Sequence, residues 1–302
     1  MKDFLIGRGH DGPARLGRYK FGEDYVDTPS LVGPVDMSSL QMHYSVFGRG
    51  EPRIEGPAII ALPSQKSVFE QTKFELEASK FLLPSLPSIA TLGGDVGAVM
   101  ISQQLALMEE YKVGASDAVL RIPSVLDSGQ LEDILTTPKE AGLVSAAFTF
   151  DGALGPNDHT NLVLRSRVPR NWIAIALGRI EPSSIPLLFY LGFDLLDAGH
   201  ADEAAALRTR LWRMGSEKVV ETSQPRLCSC PSCITQPDLT SLSEGDLYRV
   251  LKEHNLWTFK SILSESIQSF RTGTLRWLVE SMTHASPSAA SMLRKVDKEL
   301  YP

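Results

Sequence analysis

The stretch CSCPSC, residues 228–233, contains all three cysteines of the 302-residue chain. Thiols clustered as C-x-C-x2-C, with no other cysteine available, are typical of a metal site rather than of disulfides. Zinc takes four tetrahedral ligands from Cys and His. We therefore expect Cys228, Cys230 and Cys233 to bind zinc with a fourth ligand, and the candidate is His254 in the helix-like run LYRVLKEHNLW (247–257).

Four protein ligands would close the site, so the zinc would be structural and its binding would fold the segment from about 218 to 256. Two alternatives stay open. In the first, the thiols are unrelated to His254, which caps a helix or packs in a core. In the second, the cysteines hold an iron–sulfur cluster, which normally takes four thiolates.

The composition is that of an ordinary globular protein, with 43% hydrophobic and 22% charged residues. The apolar runs are too short to cross a bilayer, and the first residues, MKDFLIGRGHDG, lack the apolar core of a signal peptide. We therefore predict a cytoplasmic protein without a membrane partner. The net charge of −6 argues against a nonspecific nucleic-acid binder, although a local basic face remains compatible with RNA binding.

Short aliphatic runs alternate with longer helix-like stretches up to residue 200. The predicted strands are Leu31–Val35, Ala58–Leu62, Ser88–Thr91, Ala118–Ile122, Leu143–Phe150, Leu162–Arg165, Trp172–Leu177 and Phe193–Asp197. The predicted helices between them are Lys66–Lys80, Val99–Lys112, Leu131–Ala141 and Ile185–Leu191. Eight strands alternating with helices indicate a (β/α)8 barrel, but about 200 residues are fewer than the usual 250.

The predicted fold class is therefore α/β, a reduced or distorted (β/α)8 TIM-like barrel with a C-terminal zinc-binding helical subdomain. We expect residues 1–200 to hold a small N-terminal β-unit and the barrel. Residues 201–302 would form the zinc-binding helical subdomain, because the tail from Leu247 to Leu300 carries apolar stripes at helical spacing.

Three stretches resemble one known family, the tRNA-guanine transglycosylases, and especially its archaeosine branch. CSCPSC followed by HNLW is similar to the family's zinc motif, and residues 254–280 resemble the helices that follow it. DGPARLGRYKFGEDYVDTPSLVGPV (11–35) looks like the family's opening, and LGFDLLDAGH (191–200) looks like its D-L-F-D segment. The likeness is weak from about 85 to 170.

The resemblance implies a TIM-like barrel with a zinc subdomain that exchanges a base in tRNA. In this family one aspartate attacks the ribose as guanine leaves, and Asp197 matches it by position. A carboxylate can trap a cationic sugar centre, and barrel enzymes place their chemistry at the carboxyl ends of strands. The alternative interpretation is that Asp197 caps the following helix.

The family's second aspartate, in a D-S-G-x-F-Q motif, is missing from its expected place before GGDVGAVM (93–100). A later D-S-G, residues 127–129, follows the wrong strand and is typical of a helix start. General acid–base help is worth a factor of about 10²–10⁴, so its loss predicts a chain that does not exchange bases alone.

The paralogous archaeosine synthases resemble the transglycosylases but act on tRNA that already carries 7-cyano-7-deazaguanine, and full-length members carry a C-terminal PUA module. The chain ends soon after the zinc segment. We therefore expect the transglycosylase-like subunit of a split archaeosine synthase, with tRNA and a separate PUA-containing C-terminal chain as partners and a homo-oligomer possible. The alternatives are an active transglycosylase using Asp197 and a non-catalytic zinc-stabilised scaffold that binds tRNA or protein.

A positive surface for tRNA phosphates is a further expectation. The arginines near the zinc motif, Arg210 and Arg213 in particular, are the candidates, and solvated arginines balanced by nearby acids are the alternative.

Overall fold

The computed structural model describes most of the chain. The described residues are 4–9, 13–33, 40–43, 56–62, 79–84, 96–124, 128–152, 154, 158–220, 228–284 and 286–300. The first three strands form an antiparallel sheet: β1 (Phe4–Gly9), β2 (Arg15–Phe21) and β3 (Asp24–Thr28). Apolar side chains of this sheet, including Tyr19 and Phe21, are buried in one cluster with the inner face of the barrel that follows.

Eight parallel strands form the barrel. They are β4 (Ser30–Val32), β5 (Gln41–His43), β6 (Ala58–Ala61), β7 (Ser79–Leu82), β8 (Ala118–Arg121), β9 (Ser145–Gly152), β10 (Ile173–Ile180) and β11 (Leu195–Asp197). Each strand pairs with the next along the chain, and β11 pairs with β4. A single parallel bridge between Gly33 and Gln41 links β4 to β5 and completes the ring.

The strand side chains alternate between two apolar clusters, as the period of a β-strand requires. Val119 on β8, Ile175 on β10 and Leu195 on β11 belong to the inner cluster. Their neighbours Leu120 and Leu196 belong to the outer cluster, which packs against the helices.

Helices cover the second half of the barrel. They are α1 (Val96–Glu110), α2 (Ser128–Ile134), α3 (Thr136–Glu140), α4 (His159–Arg167), α5 (Ile185–Tyr190) and α6 (Gly199–Ala206). Residues 33–40 connect β4 to β5, which is shorter than the dozen or more residues that usually join parallel strands. The predicted reduced barrel is thus confirmed.

Six of the eight predicted strands overlap barrel strands with shifted ends: Leu31–Val35, Ala58–Leu62, Ala118–Ile122, Leu143–Phe150, Trp172–Leu177 and Phe193–Asp197. The last one, Phe193–Asp197, contains β11. The prediction Leu162–Arg165 was wrong, since this segment lies inside α4. A short apolar run cannot be assigned to a strand or a helix by periodicity alone.

Two barrel strands, β5 and β7, were not predicted. The predicted helix Lys66–Lys80 ends inside β7, because Ser79 and Lys80 are strand residues, and its residues 66–78 lie outside the described residues. The predicted strand Ser88–Thr91 also lies outside them. The predicted helix Leu131–Ala141 is two short helices, α2 and α3, separated at Leu135.

Beyond α6 the chain forms a hairpin of β12 (Thr209–Trp212) and β13 (Gly215–Lys218), and the described residues after it form four helices. These are α7 (Pro231–Thr235), α8 (Glu244–Thr272), α9 (Leu275–Thr283) and α10 (Pro287–Leu300). Ser243 caps α8 by accepting a hydrogen bond from the Asp246 amide at 3.2 Å, and Gly273 ends the helix with a φ of 75°.

The long helix α8 packs against the outer face of the barrel. Phe259, Ile262 and Phe270 belong to the same apolar cluster as the outer barrel residues. The domain boundary at residue 200 stays a prediction, and the apolar core continues across that residue. Among the described helices, none combines the length and the apolar character that crossing a bilayer requires.

Candidate metal centre and candidate active site

The structure brings the three cysteines and the histidine of the predicted site together. The ligand atoms of Cys228, Cys230, Cys233 and His254 all lie within 4.8 Å of one another. Each sulfur is 3.4 Å from Nδ1 of His254. Tetrahedral zinc with bond lengths near 2.3 Å to sulfur and 2.0 Å to nitrogen would place these atoms about 3.6 Å apart. The four side chains therefore fit a tetrahedral metal ion.

The cysteine turn orients its sulfurs through backbone hydrogen bonds. Cys230 is the N-cap of α7, and its sulfur accepts a hydrogen bond from the Cys233 amide at 3.3 Å. The Cys228 sulfur accepts one from the Cys230 amide at 3.5 Å. Burial raises the pKa of the Cys230 and Cys233 thiols, so a bound cation would be needed to hold them as thiolates at neutral pH.

The orientation of His254 is set by a carbonyl of the β12–β13 hairpin. Its Nε2 lies 2.9 Å from the Leu211 carbonyl oxygen, and this nitrogen must donate because a carbonyl only accepts. The lone pair is then on Nδ1, which faces the sulfurs. Burial lowers the pKa of His254, which favours the neutral ring that a metal requires.

The next residue, Asn255, joins three parts of the molecule. It is fully buried, and its Oδ1 accepts a hydrogen bond from the Leu211 amide at 2.8 Å. Its Nδ2 donates to the Thr209 carbonyl at 3.0 Å and to the Ala201 carbonyl at 3.1 Å. One side chain thus fixes the hairpin and α6 to the helix that carries His254. The HNLW motif was noted only for its histidine, and the role of Asn255 was missed.

Asp197 lies at the carboxyl end of β11. It follows Leu195 by two residues and therefore lies on the same inner face of the strand. Its Oδ2 accepts a hydrogen bond from the Gly178 amide at 2.9 Å, and its Oδ1 accepts one from the Gly199 amide at 2.8 Å. The side chain is 1% exposed. Burial raises the pKa of Asp197 to about 6, although both amides and the charge of His200 oppose the rise.

This geometry is compatible with both interpretations of Asp197. Gly199 is the first residue of α6, so the carboxylate holds the amino end of that helix. The same carboxylate sits where barrel enzymes place reactive groups. Its assignment as the nucleophile stays a prediction.

A buried histidine near two glutamates follows Asp197 by three residues. His200, in the first turn of α6, has Nδ1 3.2 Å from Glu203 and Nε2 3.4 Å from Glu181, which follows β10. These residues were missed because the sequence places Glu181 nineteen positions before His200, with nothing to indicate that they meet. The only available signal was their position just after barrel strands.

Three more charged residues stand at the carboxyl ends of barrel strands. Arg121 ends β8, while Asp151 and Arg179 are register neighbours on β9 and β10. By the alternation along each strand they share the inner face with Val119, Ala147 and Leu177.

A further aspartate, close to Asp197 in the sequence, belongs to a buried ion pair. Asp194 lies just before β11 and forms a buried bidentate ion pair with Arg15, at 2.8 and 2.5 Å. It also accepts a hydrogen bond from the Ala174 amide at 2.8 Å, so it joins the N-terminal sheet to the barrel. Of the later D-S-G, Ser128 is the first residue of α2, as expected for a helix start, and Asp127 lies outside the described residues.

The arginines proposed for a tRNA surface are largely engaged within the protein. Arg210 is 3% exposed, pairs with Glu217 at 3.3 Å and lies over the Trp212 ring. Arg213 forms a bidentate pair with Glu265, at 2.7 and 2.8 Å. The alternative of arginines balanced by nearby acids therefore describes both residues, and neither is a strong candidate for phosphate binding.

No protein-family model matches the chain. Curated relatives do. The chain is 29% identical over 143 residues to archaeosine synthase subunit alpha of Methanosarcina acetivorans, which covers 46% of this chain and 23% of that protein. It is 28% identical over 130 residues to the tRNA-guanine(15) transglycosylase of Methanopyrus kandleri, covering 42% and 28%.

The same enzyme of Methanocaldococcus jannaschii is 29% identical over 147 residues, covering 47% of this chain and 22% of the relative. The matched segments thus make up about a quarter of the length of each relative. They confirm the kinship that the sequence motifs indicated.

Proposed function

Since the chain is related to the archaeosine branch of the tRNA-guanine transglycosylases, we propose that it takes part in modifying tRNA in the archaeosine, or 7-deazaguanine, pathway. Within that pathway it is the transglycosylase-like subunit of a split archaeosine synthase. The match to archaeosine synthase subunit alpha supports this assignment. It works with tRNA and with a separate PUA-containing chain that supplies the C-terminal module.

The burial of Asp197 supports a subunit that does not exchange bases alone, and it is the observation that carries this proposal. A nucleophile must come within about 3–3.5 Å of the carbon it attacks. Asp197 exposes 1% of its surface, and each of its oxygens already accepts a backbone hydrogen bond. A ribose can reach this carboxylate only after the protein rearranges, which a partner chain would promote.

Zinc is the metal proposed for Cys228, Cys230, Cys233 and His254. Three thiolates and one imidazole form a common structural zinc site. With four protein ligands, no position is left for water or substrate. The ion would therefore stabilise the junction of the cysteine turn, the hairpin and α8 without taking part in the reaction.

An active transglycosylase is the second candidate, and the pKa of Asp197 favours it. A pKa of about 6 leaves the carboxylate ionised at neutral pH. In this reaction an Asp197 oxygen forms a bond to C1′ of the ribose as the bond from C1′ to N9 of guanine breaks, and the departing base takes up a proton. N9 of the incoming base then forms a bond to C1′ as the bond from C1′ to the Asp197 oxygen breaks, and the incoming base gives up its N9 proton.

Two incubations distinguish the candidates. The first combines the purified protein, tRNA and labelled guanine, followed by denaturing electrophoresis for a covalent adduct and by measurement of exchange. The second uses tRNA carrying the nitrile base, with and without the PUA-containing chain. Asp197→Asn is tested beside Asp133→Asn, a matched loss of an exposed carboxylate on α2.

Conversion of the nitrile only when the second chain is present supports the split synthase. Normal exchange of guanine by the protein alone, lost in Asp197→Asn and kept in Asp133→Asn, would replace it with the transglycosylase. If neither reaction occurs while tRNA still binds, the protein is a non-catalytic scaffold.

A further inference from the structure

Arg121 is held in a fixed position at the carboxyl end of β8. Its amide donates a hydrogen bond to the side-chain oxygen of Gln104 at 2.8 Å, and Nε2 of Gln104 donates to the Arg121 carbonyl at 2.9 Å. Its Nε donates to the Leu83 carbonyl at 2.9 Å. The buried side chain of Gln104 thus fixes the backbone of Arg121, and the end of β7 fixes the near side of its guanidinium.

The outer edge of this guanidinium has no partner in the described part of the chain. Its two terminal nitrogens form neither a hydrogen bond nor an ion pair there. Burial lowers the pKa of Arg121, and no acid among the described residues offsets that effect. A cation that is partly buried without a counter-charge is costly. The arrangement therefore favours a bound anion, and two oxygens of one group suit the two free nitrogens of the guanidinium.

A second arginine without a hydrogen bond or an ion pair to any described residue faces the same end of the barrel. Arg179 is exposed and lies near the end of β10. Leu120 and Ile180, the neighbours of the two arginines along their strands, belong to the outer cluster. By the alternation along a strand, Arg121 and Arg179 therefore lie on the inner face, at the mouth of the barrel.

The strand between the two arginines, β9, carries small inner residues. Ala147 is in register with Arg121, and Asp151 is in register with Arg179. Thr149 lies between Ala147 and Asp151 and is exposed although it is on the inner face of the barrel. Its hydroxyl forms no hydrogen bond within the described residues, so it can donate one to a ligand. The mouth thus has two arginines that flank an open strand with a hydroxyl donor.

We propose that Arg121 and Arg179 bind one phosphodiester of the tRNA strand across β9, at the strand ends that lead to Asp197 on β11. The carboxylates of Asp151 and Asp197 limit the negative charge that this mouth accepts, so a phosphodiester with a single charge fits better than a dianionic phosphate. Contacts to phosphate fix the position of a strand and do not read its sequence. Arg121 is accordingly a positioning residue. That the strand is tRNA rests on the proposed function, whereas the oxyanion site itself does not.

The test is the salt dependence of tRNA binding by the full-length, zinc-loaded protein, measured by filter binding. One phosphate contact contributes about 0.7–0.9 to the slope of log K against log salt concentration. Arg121→Gln should lower the affinity at low salt by about 10–100-fold and reduce the slope by about that amount. Arg121→Lys should keep the slope but bind less tightly, because lysine keeps the charge and lacks the planar fork. Arg294→Gln, an exposed cation lost from α10, is the matched control and should behave like the wild type.

A folded Arg121→Gln with the wild-type slope would overturn the proposal, and so would an equal change in Arg294→Gln. The melting temperature of each variant shows whether it is folded. If Arg121→Gln does not fold, the exposed Arg179→Gln decides instead, and a wild-type slope in that variant contradicts the site. A wild type that does not bind tRNA at low salt also contradicts it.

These readouts need neither catalysis nor a partner chain. If the nitrile and exchange reactions both fail while the slope falls as expected, the proposed reactions are wrong and the phosphate site stands. If a reaction is observed but the slope does not change, the function stands and the phosphate site is wrong.

Discussion

Replacing Asn255 with alanine should weaken both the fold and the metal centre. The substitution removes three buried hydrogen bonds, to the Leu211 amide, the Thr209 carbonyl and the Ala201 carbonyl. A hydrogen bond contributes about 1 kcal/mol on average, and a buried donor left without a partner costs about 1–3 kcal/mol. We therefore expect a loss of about 3 kcal/mol in the free energy of unfolding.

Such a loss should lower the melting temperature measurably. In a large domain, a change of 1 kcal/mol shifts the melting temperature by about 2–4 °C, and taking the smaller value, 2 °C for each kcal/mol, gives a fall of about 6 °C. Metal affinity should fall as well, because the hairpin that Asn255 holds supplies the Leu211 carbonyl that orients His254. Loss of such an outer partner typically costs about 10–100-fold in affinity.

The assays are calorimetric melting of the metal-loaded protein and competition for zinc with a chromophoric chelator. Asn171→Ala is the matched control, because Asn171 is an exposed residue of a turn and should melt like the wild type. If Asn255→Ala melts within 1–2 °C of Asn171→Ala, roughly the effect of a surface change, the hydrogen bonds of Asn255 do not fix the hairpin as the structure indicates. Unchanged zinc affinity with a lowered melting temperature would restrict its role to the fold.

Three further outcomes are expected. Cys233→Ser should reduce the metal content from one ion per chain to almost none by elemental analysis, and a chelator should then no longer lower the melting temperature. Arg15→Met should lower the free energy of unfolding in urea by about 3–5 kcal/mol, because it leaves the Asp194 carboxylate buried without its charged partner. Arg18→Met, the control, breaks the ion pair of Arg18 and Asp27, whose side chains are 65% and 82% exposed, and should leave the free energy of unfolding almost unchanged. Burial raises the pKa of Asp197 from 3.8 to about 6, so its proton stabilises the fold at low pH and the penalty of its charge grows as the pH rises from about 4 to about 6. The stability of Asp197→Asn relative to the wild type should therefore increase by about 2 kcal/mol between pH 4 and pH 7, and a constant difference would show that the carboxylate is not desolvated.

The metal ligands could be predicted because their chemistry leaves few choices. Zinc needs four ligands in a tetrahedron, and the chain offers three cysteines in six residues and a histidine on a long helical pattern. The barrel could be predicted in the same way, since a chain of alternating strands and helices has few possible architectures. Both predictions depend on local patterns that the sequence displays directly.

The missed strands depend on contacts that only the fold provides. Lys80 lies inside β7 and is 2% exposed, although lysine is rarely buried. Its Nζ lies 2.8 Å from Asp117 and 2.7 Å from the Ser116 carbonyl, so the charge is paired within the barrel. No pattern within residues 79–82 shows that this partner exists, and a helix was predicted there instead.

The partners of the arginines near the zinc motif also come from the fold. Sequence shows that Arg210 and Arg213 are cations near the cysteines, but their partners Glu217 and Glu265 are chosen by the hairpin and by α8. Whether a cation faces solvent or an internal acid is decided by tertiary packing. A charge pattern by itself therefore predicts an RNA surface poorly in a chain whose net charge is negative.

The candidate active site and the metal centre are connected through one short helix. Asp197 and His200 stand at the amino end of α6, and the Ala201 carbonyl of the same helix accepts a hydrogen bond from Asn255. Asn255 follows the metal ligand His254 directly along α8. A metal that fixes α8 therefore also holds the amino end of α6, because Asn255 on α8 binds the Ala201 carbonyl and the Gly199 amide of the same helix donates a hydrogen bond to Asp197. Loss of the metal should accordingly loosen the surroundings of Asp197 even though the ion takes no part in a reaction there.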